Sequence, residues 1–338
     1  LTRLGLEVIV EAGAGVHSQA TDADFSAAGA TIKSGDVLSD ADVVLSVQPL
    51  TPKQMSTLKK GAITISFLSP VTAVDSIDAA AAAGVTAFSL ELVPRISRAQ
   101  SMDALTSQAL CAGYRAAVVG AELSPRFFPM LMTAAGTVTP AQVLVLGAGV
   151  AGLQAIATAR RLGAVVSAYD VRPASADEVR SMGATFIQLE LEALEGAGGY
   201  AREMTEERAA KQRELLTPYI AKSHVVITTA AVPGRQAPRL MTQQMVDAMA
   251  PGTIIVDLAA ETGGNVEGSK PGEIVETAGG VRIWGGKDVP SQLPFHASFL
   301  YSRNVVNLLS LFTTPAKDDQ KVAFNLDFED EIINGAAV

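Results

Sequence analysis

Cysteine is nearly absent from this sequence: Cys111 is the single one in a chain of 338 residues. One cysteine excludes an internal disulfide and any metal site built from several cysteines, and it favours a reducing compartment. Aromatic residues are also few, at 5%, which favours Ala- and Gly-rich helices packed closely on a parallel sheet over an all-β sandwich. Basic residues number 26 against 35 acidic ones, so the net charge is −9. Duplex nucleic acid and anionic membranes are therefore poor candidate partners.

Long apolar runs are missing as well. The most apolar stretch, Val143–Ala159, is interrupted by three glycines and by Gln154. It therefore predicts a strand, a turn and a helix, and not the roughly 20 unbroken apolar residues of a membrane span. No basic segment followed by a long apolar run indicates a signal peptide. The first residues, LTRLGLEVIVEAGAG, predict a helix end that leads into a strand, and we expect a strand and most of a helix to precede Leu1.

The first third of the chain alternates short apolar runs, typical of buried parallel strands, with Ala-rich helical segments. The predicted strands are Leu6–Gly13, Ala41–Val47, Ala62–Leu68 and Gly84–Leu90. The predicted helices are Asp22–Ala30, with Thr21 as its N-cap, Thr51–Lys59 and Thr72–Ala83. This repeated βα pattern predicts a doubly wound sheet.

A long predicted helix, Ala104–Ala121, precedes a second βα series. Its predicted strands are Val143–Leu146, Ala164–Asp170, Ala184–Leu189, His224–Ala230, Gly252–Leu258 and Val281–Gly286. The stretch Glu190–Glu214 holds seven acidic and four basic residues, and it predicts either a solvated surface helix or a long mobile loop. A helix over Ala297–Phe312 is expected to return to the first domain, and the last 26 residues are expected to be peripheral.

These patterns predict an α/β fold with two doubly wound, parallel-sheet, Rossmann-like domains that are joined by long helices, with a nucleotide cleft between them. We expect the first domain to comprise residues 1–108 and 300–338, and the second to comprise residues 109–299. The first domain has a Gly13-Ala-Gly15 turn after a strand. That turn lacks the third glycine and the strand-end acid of a second dinucleotide site, so one nucleotide is expected on this chain.

A GxGxxG motif opens the second domain, with candidate cofactor contacts at Gly147, Ala148, Gly149, Val150 and Gly152. The motif alone is a weak signal, but here it follows a strand and begins a helix that ends near Leu162. In this context the first glycine permits the turn, the second lets the backbone approach a pyrophosphate, and the third lets helix and strand pack closely. The pyrophosphate is expected at the helix N-terminus.

The second predicted strand ends at Asp170, 23 residues after Gly147. A carboxylate at this place accepts hydrogen bonds from the hydroxyls of the adenosine ribose and repels a 2′-phosphate, which favours NAD(H) over NADP(H). Arg172 argues the other way, since an arginine nearby accommodates that phosphate. The strand-end position of Asp170 decides the prediction for NAD(H), with Val171 and Arg172 as neighbouring contacts.

No residue stands out as a catalytic base. A dehydrogenase that oxidises an alcohol or an amine needs a proton acceptor, usually His or Lys. The three histidines are His17 after a glycine turn, His224 at a position typical of solvated residues before a strand, and His296 in the loop Asp288–Ser298. No histidine pair has metal-ligand spacing, so no metal site is expected. The segment PRISRAQSMD (Pro94–Asp103) carries polar side chains but no base, and by composition alone it is either an interdomain linker or part of a site.

Four segments together are similar to a known family. They are PRISRAQSMD, LGAGVAGLQAIATARRLGAVVSAYDVRP, AGGYAREMTEER and TTAAVPGRQAP. The chain resembles, from about Leu4 to Val338, the NAD(H)-binding component (domain I, alpha subunit) of proton-translocating NAD(P) transhydrogenases, in the alanine dehydrogenase/transhydrogenase family. Alanine dehydrogenases share the glycine motif but not PRISRAQSMD. Where they carry a catalytic histidine, this chain has Ser66-Phe67-Leu68-Ser69.

The resemblance implies roles for individual residues. Arg95, Gln100 and Asp103 are the candidate catalytic residues: Arg95 and Asp103 hold the nicotinamide end of NAD(H), and Gln100 reaches the partner domain. The GGYAREM segment implies a mobile loop that closes over the nucleotide through Gly199, Tyr200 and Met204. The further cofactor contacts that the resemblance implies are Ser97, Met102, Thr106, which replaces the family's usual serine, Gln212 and Ala231.

The implied activity is direct hydride transfer between NAD(H) bound here and NADP(H) on a partner domain, coupled to proton translocation by a separate membrane component. Hydride moves from C4 to C4, so no side chain has to accept a proton, and catalysis depends on positioning and on excluding water. The resemblance also implies a homodimer, cytoplasmic and peripheral to the inner membrane, that does not itself insert into the bilayer. Two alternatives stay open: an alanine-dehydrogenase-like amino-acid dehydrogenase and a non-catalytic NAD(H)-sensing module.

Overall fold

The computed structural model of the chain describes residues 1–191, 205–232, 235–315 and 322–338. The chain divides into two compact units: Leu1–Gln108 together with Pro294–Val338 form unit 1, and Ala109–Leu293 form unit 2. No helix within the described ranges is both long enough and apolar enough to cross a bilayer.

Helices and strands alternate through the first 123 residues. The strands are β1 (Ile9–Glu11), β2 (Thr31–Lys33), β3 (Val43–Leu45), β4 (Ile63–Ser66) and β5 (Thr86–Ser89). The helices are α1 (Asp22–Ala27), α2 (Pro52–Met55), α3 (Val74–Ala83) and α4 (Ala104–Leu123). The predicted N-cap of α1 is confirmed, because Thr21 Oγ1 accepts a hydrogen bond from the Asp24 backbone N–H and the Asp24 carboxylate accepts one from the Thr21 N–H.

The strands of unit 1 are parallel, as predicted, but they lie in separate sheets. β1 pairs with β2, while β3, β4 and β5 form a sheet in that order. Neighbouring residues of β5 face opposite sides of this sheet, since Ala87 belongs to one buried cluster and Phe88 to another. Apolar residues therefore cover both faces, which explains the nearly continuous hydrophobicity of these strands.

Unit 2 repeats the alternation. Its strands are β6 (Leu131–Thr133), β7 (Gly136–Val138), β8 (Gln142–Leu146), β9 (Val165–Tyr169), β10 (Thr185–Phe186), β11 (Val225–Thr228), β12 (Ile254–Asp257), β13 (Ile274–Glu276) and β14 (Arg282–Gly285). Its helices are α5 (Val150–Arg161), α6 (Ser175–Ser181), α7 (Glu206–Lys222) and α8 (Gln243–Asp247). The six strands that the sequence predicts here are all present, although β10 has only two residues.

The main sheet of unit 2 has the order β10-β9-β8-β11-β12-β14-β13, with β13 antiparallel on the edge and the others parallel. Counted within the unit, the six parallel strands follow the order 3-2-1-4-5-6 of a dinucleotide-binding sheet. The winding direction reverses between β8 and β11. Ligands of such sheets bind in the crevice at the carboxyl ends of the strands at this reversal, so this edge is the candidate site.

The sequence analysis missed four short strands: β2, β13 and the antiparallel hairpin β6–β7. Each has three residues, which is too short for an alternating pattern or an apolar run to be recognised. The hairpin also has all six of its strand residues exposed, so burial leaves no hydrophobic signal there.

The last 26 residues are not peripheral, so that prediction is wrong. After α9 (Pro294–Leu311), the short strands β15 (Thr313–Thr314) and β16 (Ala323–Phe324) pair, and the helix α10 (Glu331–Ala336) follows. Three residues of α10, Ile332, Ile333 and Ala336, are at most 2% exposed in the core of unit 1. The prediction failed because three apolar residues in a polar tail are too few to show a helical period.

Candidate functional site

The three glycines of the GxGxxG motif form the turn from β8 to α5, and each lacks a side chain for a different reason. Gly147 has a φ of +104°, a conformation that favours glycine. A Cβ on Gly152 would lie 1.9 Å from the carbonyl oxygen of Gly147, so strand and helix pack closely only without it. A Cβ on Gly149 would meet no described atom within 4 Å. The open space over Gly149 is where a pyrophosphate approaches the backbone in this motif.

The N-terminus of α5 suits an anion. Gly149 is its N-cap, and no side chain in the described part of the chain caps this helix. The first N–H groups of a helix have no intrahelical acceptor and lie at the positive end of the helix dipole. Because this end lies beside the carboxyl end of β8, the uncapped turn fits the phosphates of a dinucleotide.

Asp170 follows β9, and four hydrogen bonds fix its carboxylate. Its Oδ2 accepts from the Ala148 N–H in the glycine turn (2.7 Å) and from Arg172 Nη2 (3.0 Å). Its Oδ1 accepts from the backbone N–H and from Nε of Arg172, both at 2.9 Å. The side chain is only 8% exposed. Asp170 thus joins the end of the second strand to the glycine turn, and Arg172 is its ion-pair partner.

A cavity of about 100 Å³ lies beside Asp170 at the carboxyl ends of β9 and β10, with Val171 and Leu189 among its lining residues. Behind it, the Tyr169 hydroxyl donates to Oε1 of Gln212 at 3.0 Å, and Gln212 is only 2% exposed. Burial raises the pKa of Tyr169 to about 12, so its phenol stays protonated at neutral pH. Gln212 therefore supports the wall of a mainly apolar slot that suits a flat base such as adenine.

Two residues that the sequence analysis missed hold the loop after β11. The side chain of the fully buried Asn265 donates to the Ala230 carbonyl (2.8 Å) and accepts from the Ala230 N–H (3.1 Å). Asp257, at the end of β12, accepts from the Asn265 N–H (3.3 Å) and from Thr228 Oγ1 (3.0 Å). The predicted contact Ala231 is exposed next to this loop. One signal was available, since an acid ends the otherwise apolar strand GTIIVD.

The segment PRISRAQSMD lies in unit 1 between β5 and α4. Ser97–Met102 form a 3-10 helix on which the predicted contacts Ser97 and Gln100 are exposed, as is Arg95 before it. Met102, also predicted to touch the cofactor, is 7% exposed and belongs to the core of unit 1. The structure therefore presents the polar predicted side chains of this segment and turns Met102 inward.

Asp103 begins α4. Its Oδ1 accepts from the Thr106 N–H (2.9 Å) and its Oδ2 from the Thr106 hydroxyl (2.7 Å). The carboxylate thus caps the helix, and the hydroxyl that the resemblance assigns to the cofactor donates to Asp103 here. The predicted mobile loop, with Gly199, Tyr200 and Met204, lies outside the described residues and stays a prediction.

The three histidines have different surroundings. His17 and His296 are exposed, and the ring of His296 lies edge-on to Phe295 at 5.1 Å. His224 is not the solvated residue that the sequence predicted, because its Nδ1 accepts a hydrogen bond from the Gln142 N–H at 3.0 Å. Within the described ranges, no group of three or more His, Cys, Asp or Glu side chains could hold a metal ion.

Acid should weaken the fold through His224. Burial and, to a smaller extent, the Arg126 charge lower the pKa of His224 below its usual 6.5, and Nδ1 accepts only when the ring is neutral. The unfolded chain therefore binds the proton more readily, so this contribution to stability is complete above pH ~6.5 and falls as the pH drops towards the folded-state pKa. Urea unfolding at pH 8 and 5.5 should show a larger loss for the unaltered chain than for His224→Asn. An equal loss in both would contradict the assignment.

Two glycine substitutions should separate binding from folding. Gly149→Ala adds a methyl group that meets no described atom, so the urea midpoint should change little while NADH binding weakens about tenfold, the loss of about 1.4 kcal/mol at the pyrophosphate. Gly152→Ala places the same methyl against the Gly147 carbonyl and should destabilise the fold by about 1–3 kcal/mol. Fluorescence titration and urea unfolding measure the two effects. Unchanged NADH affinity in Gly149→Ala would contradict the pyrophosphate site.

Comparison with known proteins agrees with this geometry. The family described as alanine dehydrogenase/PNT matches the chain with its N-terminal domain over residues 1–112 and its C-terminal domain over residues 116–338. The chain is 49% identical to the first of the polypeptides that make up the NAD(P) transhydrogenase alpha subunit of Rhodospirillum rubrum, over 100% of this chain and 89% of that protein. It is 34% identical to alanine dehydrogenase of Mycobacterium tuberculosis, over 80% of this chain and 69% of that protein.

A solved structure shows the same fold. The transhydrogenase from Sinorhizobium meliloti superposes with a TM-score of 0.89 at 46% identity, over 99% of this chain and 90% of that chain. The α/β, Rossmann-like fold with two parallel-sheet units is therefore confirmed, and so is the family resemblance that the sequence motifs indicate. The matches span both halves of the chain, the glycine turn and the PRISRAQSMD segment, and the chain belongs to the alanine dehydrogenase/PNT family.

Proposed function

We propose that this chain is the NAD(H)-binding component of a proton-translocating transhydrogenase. In this function, NAD(H) binds here and exchanges hydride directly with NADP(H), which is carried on a partner domain. A separate membrane component couples the exchange to proton movement, and the chain itself is cytoplasmic and peripheral to the inner membrane. Its relatives in Rhodospirillum rubrum and Haemophilus influenzae, both named as transhydrogenase alpha chains, support this proposal.

One observation carries the nucleotide half of the proposal: the open space over Gly149 at the uncapped start of α5, with Asp170 held against the same turn. The described residues fit a dinucleotide, since the helix N-terminus takes the pyrophosphate, Asp170 the ribose and the slot near Tyr169 the adenine. When bound, NAD(H) supplies or accepts hydride at C4 of its nicotinamide ring. Asp170 repels a 2′-phosphate, and for this reason NADP(H) is assigned to the partner domain.

The polar residues of PRISRAQSMD supply positioning. By the family resemblance, Arg95 and Asp103 hold the nicotinamide end, and Gln100 aligns the second ring from the partner. The segment contains neither histidine nor lysine, so it suits a reaction in which no proton is transferred. Reacting rings need near-attack geometry and exclusion of water, which fixed polar side chains provide.

An alanine-dehydrogenase-like activity is the second candidate, because the fold is shared and the M. tuberculosis relative is 34% identical. The stretch after β4 argues against it. There, Glu91 accepts hydrogen bonds from the backbone N–H groups of Leu68 (3.0 Å) and Ser69 (2.9 Å), and the stretch contains no histidine. The non-catalytic NAD(H)-sensing module is the third candidate.

The proposal includes a homodimer, which the family resemblance implies. The hairpin β6–β7 and the residue before it expose large apolar side chains, with Met130 58% and Met132 78% exposed. Exposed apolar side chains grouped in this way are typical of protein–protein interfaces. A second copy of the chain is the partner that we assign to this surface.

One experiment separates the three functions. The chain is mixed with NADH, pyruvate and ammonia, and separately with NADH, an NADP⁺ analogue and the NADP(H)-binding domain of a transhydrogenase. Oxidation of NADH in the second mixture alone is the expected result. Oxidation in the first mixture would indicate an amino-acid dehydrogenase, and binding of NADH without oxidation in either would indicate a sensing module.

A further inference from the structure

Arg98 belongs to the 3-10 helix Ser97–Met102, yet it has no role among the predicted cofactor contacts. Its guanidinium donates two hydrogen bonds to the carboxylate of Asp330: Nη1 to Oδ2 at 2.6 Å and Nη2 to Oδ1 at 3.0 Å. Two parallel bonds of this kind fix direction as well as distance, which a lysine in the same place could not do. The pair therefore joins the PRISRAQSMD segment to a residue 232 positions later in the chain.

The element behind Asp330 is firmly anchored. Asp330 is the N-cap of α10, with its Oδ1 accepting from the Ile332 N–H at 2.8 Å. The helix buries Ile332 and Ile333 in the core of unit 1, and beyond it the Val338 N–H donates to the Ala87 carbonyl in β5 at 2.9 Å. A rigid element thus presents the carboxylate that Arg98 binds.

The same helix supports the start of the segment. A Cβ on Gly335 would lie 3.5 Å from Cδ of Pro94, so α10 passes directly beneath that proline. Arg95 stands between Pro94 and Arg98, and α10 contacts the chain on both sides of it. The bonds from Arg98 also lower the pKa of Asp330 to about 2, so the pair stays charged at any pH at which the protein works.

The far end of the segment is held from α9. The side-chain amides of Asn304 and Asn307 both donate to the carbonyl oxygen of Ser101, at 3.0 and 2.9 Å. The Ser107 hydroxyl donates to Oδ1 of Asn304 at 2.7 Å and fixes its orientation. Gln100 therefore lies between two anchored points, Arg98 on one side and Ser101 on the other.

We propose that Arg98 and Asp330 are positioning residues for hydride transfer, because their ion pair fixes the exposed 3-10 helix that carries Gln100. The inference rests on the proposed function. A 3-10 helix has poorer hydrogen-bond geometry than an α-helix, so by itself it holds its side chains loosely. Catalytic constellations need their groups within about 0.5 Å of the productive position, and a misplacement of about 1 Å can cost roughly a hundredfold in rate.

The competing explanation is an ordinary surface ion pair that only adds stability. Exposed pairs contribute about 0–1 kcal/mol, and the Arg98 side chain is 49% exposed. On that explanation, breaking the pair should leave hydride transfer unchanged. On ours, transfer should suffer while the fold and NADH affinity do not, and this difference makes the two separable.

Two variants test the pair. Asp330→Asn keeps an oxygen that caps α10 but removes the charge, and Arg98→Lys keeps the charge but removes the two-bond geometry. Each should lower the rate of hydride transfer to an NADP⁺ analogue about tenfold, with the KM for NADH and the urea midpoint nearly unchanged. The double variant should be no slower than the singles, because both substitutions break one interaction. Arg180→Lys, in the exposed pair with Asp177 on α6, is the matched control and should transfer hydride at the unaltered rate.

A second readout does not depend on transhydrogenation. Backbone hydrogen exchange across residues 95–103 should become faster in both variants and stay unchanged in Arg180→Lys. If the unaltered chain transfers no hydride, the proposed function fails, and the exchange measurement still decides whether the ion pair orders the segment. Unaltered exchange in Asp330→Asn and Arg98→Lys, or altered exchange with an unaltered transfer rate, would overturn the positioning role.

Discussion

Replacing Asp170 by alanine should weaken NADH binding on the order of 100-fold and bring the affinities for NADH and NADPH close together. Each hydrogen bond from a ribose hydroxyl to this carboxylate should contribute about 1.5–3 kcal/mol. The same negative charge repels the 2′-phosphate of NADPH, and its removal leaves the Arg172 guanidinium near that phosphate. Fluorescence titration of both nucleotides on the unaltered chain and on Asp170→Ala measures the change.

Two controls identify the cause. Asp170→Asn keeps an oxygen that accepts from the Ala148 N–H, so it tests whether the bond to the glycine turn or the charge matters. The double variant Asp170→Ala, Arg172→Ala should bind NADPH more weakly than Asp170→Ala alone, because the arginine then supplies no contact to the phosphate. Equal affinities of the unaltered chain for NADH and NADPH would contradict the assignment of NAD(H) to this site.

The structure adds a condition to cofactor binding that the sequence could not reveal. The Asp170 carboxylate already accepts four hydrogen bonds, three of them from Arg172. A carboxylate offers about four acceptor positions, so ribose hydroxyls must replace the side-chain bonds of Arg172 on binding. The sequence presents Arg172 as an argument for NADP(H), whereas the structure shows it as the residue that occupies Asp170.

The nucleotide half of the site could be predicted because its parts are close in sequence. The strand, the glycine turn, the helix and Asp170 occupy residues 142–170, and each follows a local rule on turns, helix starts and strand ends. The strands of three residues and the wall formed by Gln212 behind Tyr169 follow no such rule. Their existence depends on partners that only the folded chain brings together.

The anchoring of PRISRAQSMD shows the same limit. Its composition shows a polar segment without a base, and the family resemblance supplies roles for Arg95, Gln100 and Asp103. Nothing in its ten letters indicates that Asp330 and Asn304, both beyond residue 300, hold it in place. Polar contacts between distant parts of a chain have no periodicity, so the acidic tail was interpreted as peripheral although its helix supports the segment.

Gln100→Asn should slow hydride transfer about a hundredfold and leave NADH affinity nearly intact. The substitution keeps the amide and shortens the side chain by one methylene group, so the group that aligns the second ring no longer reaches its place, and a misplacement of about 1 Å costs roughly that factor. Gln100 is exposed on the 3-10 helix, so its shortening leaves the core unchanged. Reduced turnover with retained binding is the expected signature when an interaction made only in the transition state is lost.

Stopped-flow transfer from NADH to an NADP⁺ analogue, with the partner's NADP(H)-binding domain present, measures this effect. Gln244→Asn, the same change at an exposed position of α8, is the matched control and should transfer at the unaltered rate. The transfer step should also be independent of pH between about 6 and 9, because Pro94–Asp103 contains no side chain that titrates in this range. A rate for Gln100→Asn equal to that of the unaltered chain would assign Gln100 to a linker, and the chemistry would then have to lie elsewhere than in PRISRAQSMD.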